Sequence, residues 1–172
     1  PIFVNANPSQ SVASMLVQSR QIQRKRGLSA VIVDYLQLIE PEDRRAPREQ
    51  QVGQISWRLK QMAKSLNVPV IALSQLSRAC ETRNDKKPVM ADLRDSGQVE
   101  QNADSVAFIF RPAVYFPDEH KDSEAELLIP KNRFGKIGQV NLIWDGPTMT
   151  FSSFKEETSG FDDPFEGDSA VF

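Results

Sequence analysis

The chain has 172 residues, with 21 Lys and Arg against 23 Asp and Glu, a formal net charge of -2, one His and one Cys. That length fits one domain able to bury a sizeable core, and 40% hydrophobic with 26% charged residues excludes a disordered or fibrous chain. The single Cys80 excludes an internal disulfide, one Cys with one His cannot make a structural zinc site, and no apolar run approaches the ~18 residues of a membrane helix.

No signal-peptide pattern opens the chain, and its cysteine usage suits a reducing, cytoplasmic setting. A net charge of -2 argues against binding nucleic acid by bulk positive charge. The charge is uneven, however: residues 1–154 carry +3 and residues 155–172 carry -5. The stretch 155–172 holds Gly160, Pro164 and Gly167 without periodicity, so an acidic disordered tail is expected there. It reads either as a solvating tail or as a peptide that docks a partner through Phe161, Phe165 or Phe172.

In chain order, Ile2-Phe3-Val4 is a short β-prone run followed by turn residues. Ser9 or Ser11 can cap a helix that runs to about Arg26, with Val12, Met15, Leu16 and Ile22 on one side and Gly27 closing it. Ala30-Val31-Ile32-Val33-Asp34 is an unbroken apolar run ending in a carboxylate, the pattern of a strand covered on both faces. A loop over 40–51 leads into a helix whose Val52, Ile55, Leu59, Met62 and Leu66 fall at spacings of three and four. A second buried strand is predicted over 68–73 and a mobile loop over 74–89. A short helix near 98–103 precedes a strand over 105–110. Strands over 126–129 and 139–143 are joined by a basic turn over 131–138, and 148–154 could add one more.

Alternating strands and helices predict an α/β domain with a mainly parallel sheet flanked by helices, closed by a C-terminal antiparallel hairpin. In such sheets ligands bind beyond the carboxyl ends of the strands, where Asp34 and Ser74-Gln75 emerge. A strand-end Asp is the arrangement that holds Mg²⁺ against nucleotide phosphates, yet many such residues merely face solvent or cap a helix. The phosphate loop G-x-x-x-x-G-K-[ST] is absent from these 172 residues: the nearest string, Phe134-Gly135-Lys136-Ile137, has Ile where Ser or Thr is required.

Four ordered blocks give the chain a family resemblance. Val31-Ile32-Val33-Asp34-Tyr35-Leu36-Gln37-Leu38 resembles the Walker B block of the C-terminal ATPase domain of DnaB-type replicative DNA helicases, whose fold is RecA-like. The run Val68 to Arg78 is similar to that family's strand and glutamine motif, Asp92 to Asp104 to its DNA-facing loop and helix, and Lys131-Asn132-Arg133-Phe134-Gly135 to its K-x-R finger. The resemblance covers 1–154, a partial RecA-like helicase ATPase domain.

By that resemblance, Asp34 would position Mg²⁺ through water, and Gln75 would touch the γ-phosphate of ATP. Lys131 and Arg133 would reach a neighbouring subunit's ATP site, and Arg94, Asp95 and Gly97 would meet single-stranded DNA. The implied assembly is a homohexamer with a primase and a helicase loader as partners and no membrane association. Asp95 stands where Glu is commoner, and Pro130 where a small residue is usual. The family's P-loop and catalytic Glu lie upstream of the block that opens this chain. The absence of an initiator Met fits the same expectation, that the N-terminal part of the domain is missing and that the fragment alone is inactive. A non-catalytic RecA-like module that binds DNA or a partner is the alternative, as is a RecA-family recombinase or regulatory ATPase.

Overall fold

The computed structural model describes residues 1–7, 9–93 and 97–154. The expected acidic tail over 155–172 lies outside the described residues, as do Arg94 and Asp95. The first helix, α1 (Val12–Arg26), begins where Ser11 accepts a hydrogen bond from the Ser14 N–H, and three cations occupy its last turn. Gly27 ends it with φ of 76°, a conformation that favours glycine, and donates its N–H to the Gln23 carbonyl.

Strand β1 (Val31–Val33) pairs in parallel with β2 (Val70–Ala72), and helix α2 (Arg48–Leu66) makes the crossover between them. The three-and-four spacing in α2 buries Val52, Ile55, Leu59, Met62 and Leu66, each at most 5% exposed. They join Val12, Val33, Leu36 and Ile39 in one core cluster. The Gln23 amide of α1 donates to the Leu66 carbonyl at 2.8 Å, satisfying one of the orphan acceptors at the end of α2.

Past β2 come α3 (Gly97–Asn102), β3 (Ser105–Phe110), β4 (Glu124–Asn132), β5 (Gly138–Asp145) and β6 (Thr150–Ser153). The last four strands form an antiparallel sheet in the order β3-β4-β5-β6. The chain divides into two compact units. Pro1–Phe110 and Leu127–Gln139 form the first, which carries α1 to α3 and both parallel strands. Arg111–Glu126 and the described residues from Val140 form the second. There the Arg111 guanidinium lies 4.8 Å from the Trp144 ring and donates to Asp122 at 2.6 Å, while Trp144 stacks on Phe151 at 4.6 Å.

Some expectations need correction. Among the described residues Ile2-Phe3-Val4 has no strand partner, and it stays exposed: a β-prone triplet without a neighbour has nowhere to place its backbone hydrogen bonds. The apolar runs of β1 and β2 are not covered on both faces: Val33 is 7% exposed, but Ile32 is 69% and Ile71 is 51% exposed. Helices cover one side only among the described residues. Lys131 lies in β4, not in the turn, which begins at Arg133.

Candidate nucleotide and nucleic-acid site

All the described candidate residues lie in the first compact unit. The pairing of Val33 with Ala72 brings the carboxyl ends of β1 and β2 to the same edge, and Asp34 and Gln75 emerge there. Asp34 is exposed and has no hydrogen bond or ion pair among the described residues. Below it, Leu73 N–H donates to the Val33 carbonyl at 2.9 Å and Leu36 N–H to the Leu73 carbonyl at 2.8 Å. The two exit segments are therefore laced together beyond the strands themselves.

Gln37 continues that lacing with its side chain. Its amide nitrogen donates to Ser74 Oγ at 3.0 Å, and its amide oxygen accepts from the Gln75 N–H at 3.2 Å. Arg48, at the start of α2, in turn donates to the Gln37 carbonyl at 2.6 Å. Gln75 itself is exposed, with its backbone anchored and its side chain clear of any hydrogen bond among the described residues. Sequence reasoning missed Gln37, although a side chain that both donates and accepts, three residues past a strand-end Asp, was a legible signal.

The segment 74–89, predicted mobile, is instead organised. Helical 3₁₀ turns occupy Arg78–Thr82 and Met90–Asp92. Asp92 is 2% exposed, and its carboxylate accepts from both arms of the Arg83 guanidinium and from the Val89 N–H at 2.8 Å. The Arg83 guanidinium holds the Asp92 carboxyl below its ordinary value of 3.8, against the opposing effect of burial. Ser77 N–H donates to the Asp92 carbonyl at 2.7 Å, so the run after Gln75 is tied directly to the run before Arg94. A charged loop looks mobile by composition; the pairing of Arg83 with the buried Asp92 and the Ser77–Asp92 bond give this one fixed partners.

Gly97 opens α3, is exposed, and has neither a positive φ nor a neighbour within 4 Å of where a Cβ would stand. Nothing among the described residues requires glycine there. Helix α3 packs on α2, where the Asn102 amide donates to Ser56 Oγ at 2.8 Å and Gln98 covers Gly53.

Arg133 is fastened to Asp104, the residue before β3, and Lys131 to α3 just before it. Arg133 donates from Nη1 to the Asp104 carboxylate at 3.2 Å and from its backbone N–H to the Asp104 carbonyl at 2.8 Å. Lys131 donates to the Glu100 carbonyl, and Lys60 of α2 pairs with the same Asp104 carboxylate. Asp104 is held below the ordinary carboxylate value, first by the Lys60 hydrogen bond and then by the charges of Lys60, Arg133 and Lys131. Between the two cations, Asn132 turns the other way: its amide accepts from Ser105 Oγ at 3.0 Å and donates to the Lys136 carbonyl at 3.2 Å. A Cβ on Gly135 would sit 2.6 Å from that amide, so the glycine lets Asn132 brace the turn. No hydrogen bond or ion pair joins this cluster to Asp34 or Gln75 among the described residues.

Two structural groups are thus defined, one at the edge of a parallel strand pair and one at the base of a basic hairpin. The model of the DnaB-like helicase C-terminal domain matches residues 1–153, and the chain belongs to that family. The replicative DNA helicase DnaB of Geobacillus stearothermophilus is 44% identical over 144 residues, covering 83% of this chain and 32% of the relative. The replicative DNA helicase DnaC of Bacillus subtilis is 39% identical over 163 residues, covering 94% of this chain and 35% of the relative. The chain thus spans about a third of the length of these curated relatives.

Among solved structures, one of a DnaB-like replicative helicase and its interactions with primase superposes with a TM-score of 0.83 at 42% identity, covering 90% of this chain and 38% of that one. A second solved structure, of an ATPase domain, gives 0.82 at 42% identity, covering 86% of this chain and 52% of that one. The mixed α/β, RecA-like fold implied by the resemblance agrees with both. No helix among the described residues is long and apolar enough to cross a membrane.

Proposed function

We propose that this chain is part of an ATP-dependent replicative DNA helicase that assembles as a homohexamer, translocates on single-stranded DNA and unwinds duplex. The observation that carries the reading is the parallel pairing of β1 with β2, from which Asp34 and Gln75 both emerge at the carboxyl end of the strand pair. Asp34 is an exposed, unpaired carboxylate, and Mg²⁺ commonly takes one or two carboxylates with waters and substrate phosphates. Asp34 would therefore hold Mg²⁺ through water, and the ion would draw charge from the phosphates of ATP. Gln75, its main chain held by Gln37, would offer its amide to the γ-phosphate.

Lys131 and Arg133 act in trans on the ATP of the adjoining subunit, and Arg94, Asp95 and Gly97 contact the DNA backbone. The missing side chain of Gly97, unexplained by any neighbour of its own, leaves room for a phosphate to approach main-chain N–H groups. The partners are single-stranded DNA, sister subunits, a primase and a helicase loader, and the setting is the cytoplasm. Because these 172 residues hold no G-x-x-x-x-G-K-[ST] cradle, by themselves they neither bind ATP tightly nor hydrolyse it.

The test is Arg133→Ala in the full-length helicase. The expected outcome is loss of DNA-stimulated ATP turnover with nucleotide binding largely retained; equal loss of binding and turnover would contradict action in trans. A coding sequence with no phosphate loop and no strand-end Glu upstream of residue 1 would favour a non-catalytic DNA- or partner-binding module instead.

A further inference from the structure

We propose that Asp104 is the positioning residue for Arg133: it grips one edge of the guanidinium and turns the other toward a phosphate supplied from outside the chain. This rests on the trans role proposed above for Arg133. Asp104 occupies the step between α3 and β3, where α2 and the turn after β4 each deliver a cation to its carboxylate. Arg133 is fastened to it twice, by Nη1 to the carboxylate at 3.2 Å and by the backbone N–H to the carbonyl at 2.8 Å. Two attachments on one residue fix both the origin and the direction of a side chain that otherwise has several free torsions.

The exposure pattern agrees with presentation. The Arg133 side chain is 51% exposed against 34% for Asp104, and its remaining N–H groups meet no acceptor among the described residues. A guanidinium is a rigid planar fork, so engaging Nη1 leaves donors that can take phosphate oxygens. A carboxylate facing a lone arginine would cancel the charge it orients. Here Lys60 shares the carboxylate, and its side chain is only 22% exposed. With Lys131 alongside, three cations surround one anion, and the cluster keeps a net positive charge for an incoming anion. Lys60 neutralises, Asp104 aims, and Arg133 delivers.

The experiment uses the full-length hexameric helicase with ATP, Mg²⁺ and single-stranded DNA. Asp104→Asn keeps the shape and removes the charge; it is expected to lower kcat at least about tenfold, with the KM for ATP within about twofold and the hexamer intact, as loss of orientation without loss of binding requires. Lys60→Met breaks the other ion pair of Asp104 but leaves its grip on Arg133, and is expected to lower kcat by about threefold, less than Asp104→Asn does, as loss of the neutralising charge without loss of orientation requires. In an Arg133→Ala background, Asp104→Asn should add nothing, because the group it orients is gone.

Equal losses of kcat in Asp104→Asn and Lys60→Met would reduce Asp104 to a structural ion pair and overturn the proposal. Normal turnover in Asp104→Asn, with Arg133→Ala inactive, would overturn it while leaving the trans role standing. If Arg133→Ala turns over normally, the trans role falls first. Should Asp104→Asn not assemble, Asp104→Glu decides: it keeps the charge for Lys60 but displaces the carboxylate by one methylene, and kcat is expected to fall about threefold at unchanged KM. An unchanged kcat in that variant overturns the proposal.

Discussion

Asp92 is the residue on which the region between β2 and α3 depends. Its carboxylate is depressed by the Arg83 pair, so it contributes stability that is present above the ordinary value of 3.8 and is lost as pH falls through the lower folded value. Asp92→Asn should therefore cost about 1–3 kcal/mol at neutral pH, the range for leaving a buried donor poorly matched. Urea unfolding at a series of pH values checks this, because the gap between variant and parent should narrow steadily once the medium is more acidic than 3.8. A gap that stays constant would mean the ion pair is not its source. If Arg94 makes the DNA contact proposed for it, Arg94→Ala in the full-length protein should weaken single-strand binding and lower the salt slope by about one. Titrations at several salt concentrations measure it, and an unchanged slope would move Arg94 away from the phosphates.

Among the elements, α2 organises the site most directly, through the face it turns to α3. Gly53 lies on that face, and a Cβ there would stand 1.8 Å from the Gln98 amide oxygen and 3.0 Å from Gln98 Cβ. Gly53→Ala gains about 1 kcal/mol of helix propensity but pushes the Gln98 amide aside, so the net change in stability should be small. Gly53→Leu has no such escape and should lose about 1–3 kcal/mol by overpacking, read as a lowered urea midpoint. A Leu variant as stable as the parent would show that α3 yields freely.

Legibility in the sequence also divides by element. The five apolar positions of α2, a serine cap of α1 narrowed to Ser9 or Ser11, and the span 105–110 of β3 could be read directly, since periodicity and capping are local properties. What could not be read was long-range. The Arg83–Asp92 clamp, the Gln37 bridge to Ser74 and Gln75, and the Lys60–Asp104–Arg133 cluster each join residues separated in sequence by loops or helices. Ordered motif blocks nominated Asp34, Gln75, Lys131 and Arg133 as candidates, but not the side chains that hold them in place. The reading of β1 and β2 as doubly covered failed for a related reason. An apolar run reports that a surface can be buried, not which neighbour buries it.

At the scale of the whole molecule that uncovered face has physical effects. Ile32, Ile71 and Leu73 present an apolar strip, and β1 and β2 each have one edge without a strand partner among the described residues. The 172-residue chain in isolation should therefore self-associate in a concentration-dependent way, followed by light scattering. Ile71→Lys, placed on the exposed side, should reduce that association without altering the unfolding free energy by more than about 0.5 kcal/mol. Association unchanged by the lysine would direct attention to the exposed residues Phe134 and Ile137 instead.

The tie between Ser77 and Asp92 also bears on what the intervening residues are free to become. Because the segment is closed at its base, its ends hold their spacing whatever the length of the tip near Asn84 and Asp85. Lengthening such a tip carries only a slow logarithmic entropy cost, about 0.6 kcal/mol per doubling of a flexible loop. The tip is thus a natural point for insertion: a reporter dye, an affinity peptide or an evolved extension could enter there while Gln75 and Leu93 stay in register.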